Sequence, residues 1–355
     1  MITTSKQWWQ NAPNASHLCK EIVQSLACGQ HTILHHQQPL PWPDEFQQQL
    51  DILVRESDAE HTLKILSAQD LSEDLDGLGK YLLKKFCKPD LRSSFRPSMS
   101  YADFLASHKN GNTLGTTYLM ISNVSDRQMK AWLPFFKEYE KKLGSDSGCT
   151  FLLTTTADNG YSKGIKLIDY DKAITDYDCL IFYLILAGNC TSCPTSLRQY
   201  LGELTNAIVG KNVELGAVCI SQGNKFIENP QNFLQQLHDA EDSDCSILSD
   251  EAAINTDIWM TQVKMLFPRL EKFRQLFLER HKKEIQDLLP HQNTFGESVK
   301  DYHDVELGLI WHFCNVHGLH IPALEYTELS AYRNARNHLS HIDQLSEDEL
   351  RYFLN

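Results

Sequence analysis

The residues with the greatest capacity for chemistry lie together near the end of the sequence. They sit in Leu329-Ser330-Ala331-Tyr332-Arg333-Asn334-Ala335-Arg336-Asn337-His338-Leu339-Ser340-His341. A histidine moves protons near neutral pH. An arginine fork binds a pair of anionic oxygens and stabilises charge that develops on them. An asparagine orients an imidazole or donates to the same anion. The set therefore suits proton transfer beside a bound anion.

Those side chains need an element that presents them. Apolar spacing predicts a helix over Tyr326–Ile342, and about 100° per residue sorts its faces. Tyr332, Ala335, Leu339 and Ile342 share one face and are the predicted core positions. Arg333, Asn337 and His341 form a stripe on the opposite, open face, with Asn334 beside it. Arg336 and His338 fall at the borders. The preferred site is Arg336, Asn337 and His341, with Arg333 supporting, because the long Arg336 stem reaches round from the border. The alternative register, one turn earlier, is Arg333-Asn334…His338. Glu306, at the start of a helix predicted over Val305–Val316, is expected to lie near this helix. Without a ligand, the same residues would form a capping and packing cluster, with His341 bonding Asp343 or a chain end.

Arg336-Asn337-His338-Leu339-Ser340-His341 fits a pattern of Arg, polar residue, a few others, then His. It resembles the motif of the HEPN superfamily, helical domains of many bacterial toxins and antiviral proteins, and the resemblance covers residues 251–355. It implies an all-α domain that targets RNA. Cleavage would use the neighbouring 2′-hydroxyl as nucleophile, with neither metal nor other cofactor. Arg336, Asn337 and His341 would be the site, assisted by an acid such as Glu306. Two motifs would face each other, in a homodimer or with a HEPN-containing partner. A toxin or defence setting, with other proteins of such a system as partners, follows from the same resemblance. Non-catalytic members that bind partners or nucleotides supply the alternative.

The first half alternates strands and helices. Strands are predicted at His31–His36, Leu63–Leu66, Tyr118–Val124, Thr150–Thr155 and Ile165–Ile168, with helices at Glu45–Glu56 and Asp126–Leu143. Strands separated by helices imply a mostly parallel sheet covered on both faces. This layout resembles the P-loop ATPases of the AAA and STAND type. In those, a Gly-Lys-Ser/Thr loop after the first strand holds phosphates through backbone amides and the lysine. Here Gln37-Gln38-Pro39-Leu40-Pro41 follows the strand, with no lysine and with prolines that lack amide donors. Asn123 stands at the end of the third strand, where an acid would hold Mg²⁺. The expectation is a degenerate P-loop-like domain that does not hydrolyse ATP.

The expected organisation is an α/β domain over 1–175, a helical connecting region over 176–250, and an all-α domain over 251–355. Cys179–Ala187 reads as a buried helix or short strand, and Ser196–Val209 as an amphipathic helix. Glu241–Asp250, with four acids and three serines, reads as a solvated boundary loop. With 355 residues, two domains are favoured. A net charge of −13 excludes a whole-surface nucleic-acid binder but not a local basic site. Ten scattered cysteines fit a reduced, cytoplasmic protein better than a disulfide scaffold. Cys190 and Cys193 have metal or redox spacing but lack a second pair. His312, His317 and His320 offer no i, i+4 pair, so no metal is assigned. The N-terminus has no signal-peptide pattern, and the longest apolar stretch, Cys179–Gly188, is shorter than the about 20 residues that span a bilayer.

Overall fold

The computed structural model describes residues 3–108, 110–144, 148–157, 164–241, 250–292, 296 and 298–355. The chain divides into two compact units, Met1–Phe182 and Tyr183–Asn355.

The first unit opens with α1 (Thr4–Asn11) and α2 (Pro13–Ala27), followed by β1 (Thr32–His35), α3 (Pro43–Ser57) and β2 (Thr62–Ser67). Three short helices follow, α4 (Gly77–Phe86), α5 (Pro89–Ser94) and α6 (Tyr101–Ser107). Then come β3 (Thr117–Ser122), α7 (Asp126–Leu143), β4 (Thr150–Thr155), β5 (Lys166–Asp169), α8 (Tyr170–Ala173) and α9 (Asp176–Gly188), which runs on into the second unit. The five strands order as β2-β3-β4-β1-β5, and every pairing is parallel. A parallel sheet covered by helices on both faces calls for unbroken apolar strands. Accordingly all six β4 residues, and Thr117–Ile121 of β3, are buried. The α/β expectation for this half is met. The sequence reading did not anticipate α1 and α2, although Trp8 and Trp9 of α1 are fully buried. Their short, polar-rich segments mask an apolar face that tertiary packing uses.

Helix α7 begins in a capping box, with Ser125 and Gln128 satisfying each other's backbone amides. The same Gln128 amide donates to the carbonyl of Ala68 at 2.6 Å, tying the helix start to the segment after β2. Trp132, Phe136 and Tyr139 then bury against Phe151 of β4.

In a doubly wound sheet, ligands bind beyond the carboxyl ends of the strands, where the crossovers diverge. Here that point is the end of β1, which lies between β4 and β5 while its own connection runs to β2 at the far edge. The loop at that end is tied down within itself and by α1 and α8. His36 Nδ1 lies 2.8 Å from the Gln38 carbonyl, Gln37 donates its amide to Asp171 at 2.7 Å, and the Trp9 indole donates to the Pro41 carbonyl at 3.0 Å. A helix N-terminus attracts phosphate, but α3 starts at Pro43 and carries Asp44 and Glu45 in its first turn. Those carboxylates complement the helix dipole and repel an anion. Asn123, at the end of β3, adopts φ 58°, a conformation asparagine tolerates, and its amide bonds Thr154 Oγ1 at 3.2 Å.

The second unit contains α10 (Arg198–Val209), α11 (Val213–Gln222), α12 (Asn224–Glu228) and α13 (Pro230–Glu241). It continues through α14 (Glu251–Arg280), α15 (Lys282–Asp287) and a small antiparallel pair, β6 (His291–Gln292) with β7 (Ser298–Val299). It ends with α16 (Leu307–Val316), α17 (Ala323–Ser340) and α18 (Glu347–Leu354). The segment expected as a connecting region thus contributes α10–α13 to this unit, and Cys179–Ala187 is helical. Residues 242–249 of the expected acidic boundary loop lie outside the described residues. Phe277, Leu278, Ile285, Val305, Ile310, Phe313 and Leu329 form one core among α14–α17. Among the described residues no helix is long and apolar enough to cross a membrane.

The β1–α3 loop generates a prediction. Isothermal titration of the full chain with Mg²⁺-ATP gives no saturable heat, because the loop offers no amide cradle and α3 presents carboxylates. Saturable binding at micromolar nucleotide would contradict it.

Candidate functional site

The sequence motif lies on α17 and the turn after it, and α14 holds both ends of that helix. At the α17 N-terminus, Glu325 accepts hydrogen bonds from Arg280 and, at 3.1 Å, from His281, both at the α14 C-terminus. The acid faces the positive end of one helix dipole and the bases face the negative end of the other. Burial alone would raise the Glu325 pKa, but the bonds from His281 and Arg280 outweigh it and hold the carboxyl below its usual range. In the middle, Tyr332 stacks on Phe273 of α14, with ring centroids 3.9 Å apart, and meets Phe353 of α18 edge-on. At the C-terminus, the Trp259 indole donates to the Leu339 carbonyl at 2.8 Å, filling an acceptor that the helix end leaves open. Buried Gln262 then takes both backbone groups of Leu345, at 2.8 and 3.1 Å, and fixes the chain beyond the turn.

The expected core face holds at Ala335 and Leu339, but the expected open stripe does not: Arg333 and Asn337 are half-buried, while His338, placed at a border, is exposed. Leu329, Ala335 and Leu339 are buried, and Tyr332 is half-buried. Ile342 is a correction: it is not a core residue, being 68% exposed with φ 64°. The helix stops at Ser340, His341 is its C-cap, and the next residue turns left-handed. The Asp343 amide then bonds the His338 carbonyl at 2.9 Å, so the helix closes through the backbone. The left-handed position usually taken by glycine is here filled by a β-branched residue, which costs about 1–2 kcal/mol.

The motif side chains separate into two groups. Arg333 lies with its guanidinium 4.4 Å from the Trp311 ring centre on α16, and it donates to Asn334 at 3.3 Å. Arg336 reaches Glu306, the residue preceding α16, at 3.7 Å. That pair is open to solvent, so it contributes no more than about 1 kcal/mol and a phosphate can compete for the guanidinium. Asn337 is half-buried, while Asn334, His338 and His341 are exposed. The chain thus brings Arg336, Asn337, His341 and Glu306 to one end of α17 and holds Arg333 back against Trp311. An exposed imidazole and a guanidinium paired only with a solvent-exposed carboxylate are the group types that exchange protons and hold anions.

Two further groups bear on the sequence reading. The thiols of Cys190 and Cys193 are buried and point at the carbonyls of Ile220 and Pro194, at 3.2 and 3.6 Å. Burial pushes the Cys193 thiol up to about 11, which removes its thiolate at neutral pH. Sequence reasoning missed a cluster of His291, His312 and His317, each of which places one ring nitrogen within 4.8 Å of those of the other two. His320 is not part of it. The one local signal is a histidine on either side of a helix end marked by Gly318; His291 joins through a long-range contact.

The scaffold yields two predictions. Glu325 has a lowered folded-state pKa, so its stabilisation is complete above the unfolded value of about 4.3 and is lost as pH falls through the folded value. Chemical denaturation at neutral pH should show Glu325→Gln about 1–3 kcal/mol less stable than wild type, a gap that narrows below about pH 4. A gap that widened with acid would contradict the clamp. Replacing strained, exposed Ile342 with glycine should stabilise the protein by about 1 kcal/mol, since relieved strain exceeds the added freedom of the unfolded chain. Unchanged or lowered stability would remove the strain argument.

No family model matches the chain, and no curated protein matches it. Among solved structures, a chain of Drosophila ORC bound to poly(dA/dT) DNA and Cdc6 is similar at 10% identity and a TM-score of 0.31, over 95% of this chain. The present chain spans 64% of that neighbour's length.

Proposed function

We propose that the helical unit is an RNA-targeting module of the HEPN kind, a metal-independent endoribonuclease acting through Arg336, Asn337 and His341. The observation that carries this reading is the display of these side chains at the pinned end of α17, where none of them fills the core. Arg336 binds the scissile phosphate in place of Glu306, and Asn337 positions a phosphate oxygen or the imidazole. His341 takes the proton of the 2′-hydroxyl as it attacks phosphorus, or returns one to the leaving 5′-oxygen. One copy supplies few cations for a phosphate on a protein of net charge −13. A second motif, from another copy or a related partner, completes the site. In this reading the α/β unit is a degenerate domain of the AAA or STAND layout that docks partners and hydrolyses no nucleotide. The setting is a cytoplasmic toxin or defence effector.

A non-catalytic role in regulation or assembly is the second reading, favoured by one observation. Arg333 and Arg336 already have partners, Trp311 and Glu306, that an aromatic or acidic side chain of another protein could replace.

Incubation of the purified chain with total RNA in EDTA distinguishes the two. Wild type should cleave. His341→Ala and Arg336→Ala should lose about 10²–10⁴ in rate, the usual cost of removing a general acid or base. His338→Ala, which belongs to the other register, should retain most activity. Equal cleavage by wild type and folded His341→Ala would contradict catalysis at this site. If His338→Ala were the inactive variant, the site would be the earlier register. RNA left intact by the wild type would leave the assembly role as the better account.

A further inference from the structure

The sequence of the His291 cluster gives little hint of it, because two separate pieces of backbone build it, α16 with its C-cap and β6. His312 lies on α16 and is half-buried. His317 is the C-cap of the same helix, five residues on, where continued helical winding would turn it away. Gly318 at φ 75° reverses the chain, and the amides of His317 and Leu319 both return to the Phe313 carbonyl at 3.1 Å. Leu319 is buried, which locks the reversal and keeps His317 beside His312, with ring centroids 5.0 Å apart. His291 arrives on β6, paired with Val299, and stands edge-on to the buried Phe313 ring at 5.1 Å. Its ring is 4.9 Å from that of His317 and 5.7 Å from that of His312.

We propose that His291, His312 and His317 form a binding site for a divalent transition metal, Zn²⁺ in particular. One ring nitrogen from each histidine lies within 4.8 Å of the other two, and a tetrahedral ion with bonds of about 2.0–2.1 Å draws such atoms to about 3.3 Å apart, so the rings close in on binding. The donor set is all imidazole, with no carboxylate among the three, which suits zinc, cobalt, nickel or copper and not magnesium or calcium. A metal ligand must be a neutral imidazole. Two half-buried ligands and one exposed ligand leave an open approach. Three protein ligands leave a fourth position for water or an anion. The bound ion clips the β6–β7 pair to the end of α16. This site is separate from the motif on α17 and does not depend on the RNA reading.

The test uses the full chain after dialysis against chelator. Titration with Co²⁺ should produce the intense visible bands of a four-coordinate site, saturating at one ion per chain. Zn²⁺ should displace the cobalt and raise the melting temperature. His312→Ala and His317→Ala, checked for fold by circular dichroism, should each weaken metal binding at least about tenfold, since even second-sphere changes cost 10–100-fold. His317→Gln guards against a folding defect, because it keeps the polar cap but not the imidazole and should also lose the bands. The inference is overturned if cobalt gives only weak, six-coordinate absorption. It is also overturned if ultraviolet sulfur-to-cobalt bands show that cysteines hold the ion, or if the variants bind as wild type does.

Discussion

The second unit depends on one long helix, α14, which grips α17 at both ends. The Glu325 bonds to Arg280 and His281 hold one end, and the Trp259 indole on the Leu339 carbonyl holds the other. Without them an 18-residue helix would be held by a moderate apolar stripe, and helical propensity alone contributes little in water. Both contacts satisfy groups that helix termini leave unpaired, so each serves dipole and packing together. The consequence is positional. The last turn of α17 is fixed from behind, so its polar face is displayed without serving the core.

In the first unit the constraint is the parallel sheet, whose buried strands demand helices on both faces. Its topology puts the position where such sheets bind ligands at the end of β1, yet the local chemistry there disfavours an anion. Prolines remove amide donors, Asp44 and Glu45 occupy the α3 N-terminus, and hydrogen bonds hold the loop within itself and to Asp171 and Trp9. Topology and site chemistry are separable here, and a fold that favours a ligand crevice does not guarantee a ligand.

How much of this was legible in the sequence follows from which forces are local. Apolar runs in β3 and β4 and the amphipathic pattern of α7 gave those elements nearly residue by residue, because burial imposes their period. Helix α1 was not legible, since its tryptophans are buried by partners distant in sequence. The end of α17 was misplaced because the usual stop signal, glycine in the left-handed position, is absent and Ile342 takes that conformation. The reading therefore extended the helix and put Ile342 in the core. Proximity of Glu306 to Arg336 was within reach of sequence reasoning, as neighbouring helices joined by a short loop pack together. Withdrawal of Arg333 onto Trp311 was not, because helix angles do not say what a long side chain touches. The three histidines meet through a capped turn and a strand pair, which no spacing rule encodes.

The proposed RNA-targeting role requires the C-terminal end of α17 to meet RNA. Photocrosslinking with 4-thiouridine-substituted RNA, followed by mass spectrometry of the digested full chain, tests it without requiring turnover. The account predicts crosslinks on peptides containing residues 333–343, diminished by unlabelled RNA and by Arg336→Ala. Crosslinks confined to other elements, or none above a control protein of equal charge, would contradict it.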